Sequence, residues 1–186
     1  MTTGQLNEQV AIVTGAAGGI GSAIARRFVA EGARVGLVEF HADAGAALAE
    51  QLRAQGHTVC FAQADVGSFA SCEAAYAAIT QQLGAADIVV NNAGISPKTA
   101  GRALNVWEMP PEEWARVVDV NLNGVFHLTR LATPHMVAQR RGRVINMSSV
   151  AGRAYCDIVA AHYAATKAAL LGLTRHWAGE LGPHGI

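Results

Sequence analysis

Tyr163 and Lys167 are four residues apart in a stretch with helical apolar spacing, so they share one helix face. A phenol is a poor base at neutral pH. An ammonium about 5 Å away, at an effective dielectric of about 20, favours the phenolate by roughly 3 kcal/mol. That lets the pair exchange a proton with a substrate near neutral pH. YxxxK alone arises often by chance, and a helical tyrosine is usually core or rim, so the setting decides. Ser149 closes the apolar run VINMSS, and the carboxyl ends of strands are where ligands sit in open α/β sheets. Ser148, beside it, is the alternative hydroxyl. Asn121 stands in VNLNG, a polar residue amid an apolar stretch that needs a hydrogen-bond partner.

A second constellation suits phosphate. Thr14 to Gly21 reads TGAAGGIG where a strand hands over to a helix. Small residues let the backbone approach a pyrophosphate, and the helix points free N–H groups with roughly half a positive charge at it. The spacing Gly15-x3-Gly19-x-Gly21 departs from GxGxxG, and a tight turn packing a helix on a sheet is the other reading. Glu39 ends the next strand, where an acidic residue accepts hydrogen bonds from ribose hydroxyls. A 2′-phosphate would meet it as a like charge. Gly18 in the turn and Phe40 and His41 after Glu39 offer no neighbouring base along the chain, which favours NAD over NADP.

These residues need a scaffold, and the chain predicts one. Apolar runs at 10–14, 34–39, 58–64, 87–91 and 143–147 read as strands buried on both faces. Amphipathic stretches at 20–31, 43–55, 68–83, 112 to about 139 and 162–181 read as helices, with Ser68 as an N-cap and Pro134 bending the fourth. Strand–helix alternation predicts an α/β fold: a doubly wound, Rossmann-like parallel sheet of five strands in one dinucleotide-binding domain over 1–186.

Composition agrees. The chain has 186 residues, 51% of them apolar and 15% charged, enough for one sizeable core. Fourteen basic and fourteen acidic residues balance, leaving no broad footprint for nucleic acid. No run is long and apolar enough to span a membrane, and MTTGQLNEQV shows no secretory pattern. Cys60, Cys72 and Cys156 fit no zinc pattern and read as reduced thiols of a cytosolic protein. Arg140, Arg141 and Arg143 suit the negative end of the preceding helix better than they suit a nucleic acid.

Together these motifs resemble the short-chain dehydrogenase/reductase family, most of all its 3-oxoacyl-carrier-protein reductase-like members. TGxxxGIG matches at Thr14 to Gly21, the adenine-flanking pair at Asp65-Val66 and NNAG at Asn91 to Gly94; Asn121, Ser149, Tyr163 and Lys167 match the catalytic tetrad in order. The resemblance implies a hydride passing between NAD(H) and a secondary alcohol or ketone. Tyr163 would be the acid/base, and Lys167 would assist it and hold the nicotinamide ribose. Ser149 would polarise the substrate oxygen, and Asn121 would hold a water in a proton relay. Gly15, Gly18, Gly19, Ile20, Gly21, Glu39, Asp65, Val66, Asn92, Ala93 and Gly94, with Tyr163 and Lys167, would contact the cofactor; no metal is implied. Glu39 stands where many NAD-using members have Asp, a longer arm for the same contact.

The resemblance also implies a sixth strand, a Pro-Gly turn, a substrate-covering loop and a seventh strand, which this sequence lacks. The expectation is that 186 residues alone turn over little substrate, as a fragment of a longer product. Helices around 112–139 and 162–181 would form a homo-oligomer interface through faces that include Leu128, Leu131, Ala165 and Leu173. Ser96 to Pro110, with Trp107, either walls the substrate pocket or is a surface loop anchored by that Trp. Three readings stand: an NAD-dependent dehydrogenase, an NAD-binding module with little or no turnover, and a structural partner that dimerises through the helix pair.

Overall fold

Residues 4–186 are described in a computed structural model of the chain. Five parallel strands lie in the order β3-β2-β1-β4-β5: β1 Val10–Thr14, β2 Arg34–Glu39, β3 Val59–Gln63, β4 Ile88–Asn91 and β5 Arg143–Asn146. The chain moves outward from β1 to β3, then returns past β1 to β4. This reversal opens a crevice above the carboxyl ends of β1 and β4, where a doubly wound sheet binds ligands. β1 is central because its side chains alternate between two cores. Val10 and Ile12 join one cluster with Ile79 and Leu128; Ala11 and Val13 join the other with Leu37 and Leu52.

Helices cover both faces: α1 Gly19–Ala30 and α2 Ala42–Ala54 on one, α3 Phe69–Leu83 and α5 Gly124–Gln139 on the other. Ser68 caps α3, its hydroxyl accepting the Ser71 N–H. α6, Ala161–Leu181, packs against α4, Pro111–Val118. Asp87 fastens the strand entries. Its carboxylate accepts the Val10 N–H at 2.9 Å, and Gln139 and Arg141 donate to its other oxygen. Burial works against its charge, but these donors outweigh it and hold the carboxyl below the ordinary range.

The fourth predicted helix is corrected. It is interrupted by a π-helical turn over Asp119–Asn123, while α5 runs through Pro134. The break therefore falls around Asn121, and a π-bulge is a common device for aiming a functional side chain. Leu128 is also corrected: it is fully buried in the core and belongs to no outer face. Ala165 and Ala168 are exposed and Leu131 and Leu173 half-buried. β5 is the edge strand, and a run that reads as buried on both faces leaves Ile145 at 42% exposure. The arginines after α5 bond within the chain, Arg140 to the Pro183 carbonyl, Arg141 to Asp87 and Arg143 to the Gly142 and Gly185 carbonyls. All three cysteines are free. Burial raises the Cys72 thiol to about 12, which leaves it unreactive near neutral pH.

Candidate active site

The glycine turn is built by contact with the loop after β4. Gly15 has φ +61°, the left-handed region that favours glycine, and its Cα faces the Ala93 backbone. Thr14 Oγ1 accepts the Asn92 and Ala93 N–H groups at 3.0 and 2.9 Å, and Asn92 Nδ2 donates to the Thr14 and Gly15 carbonyls. NNAG is thus the other wall of the turn. No side chain caps α1, so its first-turn N–H groups face the crevice unclaimed by a cap.

A cleft of about 920 Å³ runs from this turn to the ends of β2 and β3. Every residue expected to hold the dinucleotide from the turn, from Glu39, from Asp65-Val66 and from Asn92 to Gly94 lines it. Glu39 is nearly buried: one oxygen accepts the Ala17 N–H at 3.1 Å, the other the Phe40 and His41 N–H groups at 2.9 and 3.1 Å. The longer arm thereby reaches back to the glycine turn. Phe40, His41 and Arg116 also line the cleft. Arg116 lies in another helix, so a base does stand near Glu39 in space where none does in sequence.

At the far end the cleft reaches Gly94. A Cβ there would sit 3.4 Å from both Asn121 Oδ1 and Lys167 Nζ, so two members of the expected tetrad meet over this glycine. Asn121 is fully buried; its Oδ1 accepts the Ile95 N–H at 2.8 Å and its Nδ2 donates to the Ile95 carbonyl at 2.9 Å. From the π turn, this one amide bonds both backbone groups of Ile95 in the neighbouring loop. Lys167 Nζ donates to the Met147 carbonyl at 2.6 Å and lies 5.6 Å from the Tyr163 ring centroid, confirming their shared face. Burial pushes the Lys167 ammonium down from its ordinary value. Ser148 Oγ donates to the Lys167 carbonyl at 2.7 Å and is taken up in holding α6. Ser149 Oγ accepts the Ala151 N–H at 3.2 Å, which leaves its proton to donate.

The site carries residues that sequence reasoning passed over. Thr166 bonds Asn121 and the Tyr163 carbonyl, and lies between Tyr163 and Lys167 on α6. His162, fully buried, meets Glu113 of α4 at 2.9 Å and ties the π-turn helix to the Tyr–Lys helix. A histidine beside YxxxK carried no periodic signal to distinguish it from core.

Trp107 is 80% exposed and anchors nothing. Its loop is held instead by Glu108, which accepts two bonds from Arg102 and two from Asn105. Arg102, then the Asn105 N–H, lower the Glu108 carboxyl to about 2. A carboxyl depressed on folding adds stability above its ordinary value of 4.5 and loses it as pH falls towards the folded value. Hydrogen-exchange protection at the Asn105 amide should therefore persist at pH 5 and fade towards pH 2. Glu108→Gln should lose it already at pH 7; unchanged protection in that variant would refute the clamp.

The family model described as short chain dehydrogenase matches residues 9–186. This chain belongs to that family. It is 38% identical over 183 residues to an oxidoreductase, UcpA, of Salmonella typhimurium, covering 98% of this chain and 67% of the relative. Among solved structures, a 3-oxoacyl-[acyl-carrier protein] reductase with bound NAD from Brucella melitensis superposes with a TM-score of 0.90 at 49% identity, over 96% of this chain and 67% of that one. A gluconate 5-dehydrogenase from Burkholderia cenocepacia, in complex with NADP and tartrate, superposes with a TM-score of 0.88 at 33% identity, over 97% and 69%. The chain thus spans about two thirds of the length of these short chain dehydrogenases. No described helix is long and apolar enough to cross a membrane.

Proposed function

We propose that this chain carries the cofactor site and the proton-transfer residues of an oxidoreductase that moves a hydride between NAD(H) and a secondary alcohol or ketone. The convergence at Gly94 carries the reading: the dinucleotide cleft ends where Lys167 Nζ and Asn121 Oδ1 meet. The residues fit a dinucleotide. A Cβ at Gly19, on the cleft wall, would enter open space, room that a pyrophosphate takes. When bound, the nicotinamide supplies the hydride chemistry. The α1 N-terminus receives the pyrophosphate and Glu39 the adenosine ribose. Ser149 donates to the substrate oxygen. Tyr163 gives that oxygen its proton in reduction and takes it in oxidation. Lys167 places positive charge where the phenolic oxygen becomes negative and holds the nicotinamide ribose. Asn121 fixes the loop under Lys167.

NAD is the preferred form, because Glu39 repels a 2′-phosphate and Arg116 is already committed to Asp65. Small alcohols or ketones are the substrates, and the exposed faces of α5 and α6 pair copies of the chain. A second reading, dinucleotide binding with little turnover, has its own support: Asn121, Ser149, Tyr163 and Lys167 all stand outside the lining of the cleft.

The test is a panel of secondary alcohols and ketones with NAD and NADP, followed by nicotinamide absorbance, beside a fluorescence titration of both dinucleotides. Turnover with NAD and tighter NAD binding are expected. Binding without turnover would select the second reading, and equal affinities would overturn the cofactor preference. A dimer with no dinucleotide affinity would sink both.

A further inference from the structure

Three consecutive residues at the end of the edge strand each bond the same helix. Asn146 closes β5, and its Nδ2 donates to Thr174 Oγ1 at 2.9 Å. Met147 follows, and its carbonyl accepts from Lys167 Nζ at 2.6 Å. Ser148 comes next, and its Oγ donates to the Lys167 carbonyl at 2.7 Å. Lys167 and Thr174 both lie on α6, two turns apart on one face. Lys167 is thus held at both ends, by its ammonium and by its own carbonyl. A carbonyl inside a helix keeps a second lone pair beyond its helical bond, and the serine takes it. The strand end that does the holding is itself fixed. The Met147 N–H donates to the Asn91 carbonyl at 3.0 Å, and Asn146 Oδ1 accepts from Asn91 Nδ2 at 2.9 Å. The turn after Ser149 closes on the same point. A Cβ at Gly152 would come within 2.6 Å of the Lys167 carbonyl carbon, so glycine lets this turn lie against the α6 backbone.

We propose that Ser148 is a positioning residue for Lys167, with the Asn146–Thr174 bond as the second point of attachment. The proton-transfer residues come from two elements, Ser149 from the end of β5 and the Tyr163–Lys167 pair from α6. Nothing in the backbone ladder joins these elements; the Ser148 hydroxyl does, one residue before Ser149. Lysine has a flexible four-carbon stem, so its ammonium is only as well placed as its backbone and its acceptor together. Ser148 fixes the backbone and Met147 supplies the acceptor. This rests on the oxidoreductase reading above, which it deepens by naming what holds the two halves of the site in register.

Lys98 and Lys167 are the two lysines of the sequence, so the amine can be read directly. Wild-type chain, Ser148→Ala and Ser148→Thr are pulse-labelled with acetic anhydride, and mass spectrometry compares Lys167 with exposed Lys98 of the same molecule. A thiol reagent on buried Cys72 reports general loosening in parallel. Ser148→Ala should raise Lys167 labelling about 3- to 10-fold and leave Cys72 unchanged. Ser148→Thr keeps the hydroxyl and should stay within about twofold of wild type. On an alcohol that the wild-type chain oxidises, Ser148→Ala should lower kcat about 3- to 30-fold, with KM for the alcohol within about twofold. Unchanged Lys167 labelling in Ser148→Ala would overturn the proposal. So would Lys167 and Cys72 rising together, a threonine variant that behaves like alanine, or a kcat equal to wild type. Wild-type chain without turnover, but with the expected labelling, would sink the oxidoreductase reading and leave the hold on Lys167 standing.

Discussion

Tyr163→Phe is expected to reduce alcohol-dependent NADH formation by about 10²- to 10⁴-fold while dinucleotide affinity stays within about twofold. Tyr163 is half-buried near the start of α6, and its local bonds run through its backbone: its N–H donates to the Ala160 carbonyl and its own carbonyl accepts from Thr166 Oγ1. Removing the hydroxyl keeps the ring and both bonds, so the melting point should hardly move. What disappears is the phenolic hydroxyl, the group proposed to exchange the proton, on a ring whose centre lies 5.6 Å from Lys167 Nζ. Nicotinamide absorbance on one alcohol, with NAD titrated in parallel, separates the two effects. Retained turnover would refute the role given to Tyr163; lost binding would show that the ring, not the hydroxyl, matters.

Much of this site was legible because its chemistry restricts residue type. Only small residues fit the turn at Gly15 and Gly21, and a four-residue spacing sets an ammonium beside a phenol on one helix face. The strands were legible because β1, β2 and β4 are buried on both faces and so read as unbroken apolar runs. The same signal found β5 but hid its exposure: Ile145 looks like core in sequence, and the strand order places it at an edge. Asn121 was visible as a polar residue in an apolar stretch, yet the π turn under it was not. A π turn shifts the backbone hydrogen-bond register without altering the apolar pattern, and Pro134 was the louder cue for a break. Arg116 was out of reach for another reason. Its partner Asp65 lies 51 residues away, and nothing local marks a helix arginine as one that crosses a cleft.

Two glycines of the turn should fail in different ways. Gly21→Ala should destabilise the chain by distorting the turn. A Cβ at 21 would collide with the Gly15 carbonyl and come within 2.8 Å of Asn92 Nδ2, the group that binds the turn to NNAG. Backbone cannot step aside cheaply, so the cost should be about 1–3 kcal/mol, a fall of roughly 3–10 °C in Tm for a domain of this size. Gly19→Ala meets no atom within 4 Å and sits in the first turn of α1, where alanine suits a helix better than glycine. Its Tm should hold or rise. Its methyl would nevertheless stand in the space where a pyrophosphate must come close to the N–H groups of α1, and NAD affinity should fall at least about tenfold, or about 1.4 kcal/mol. The contrast assigns one glycine to packing and the other to the ligand. A Gly19→Ala chain that binds NAD like wild type would mean that close backbone approach is not how this turn holds a phosphate.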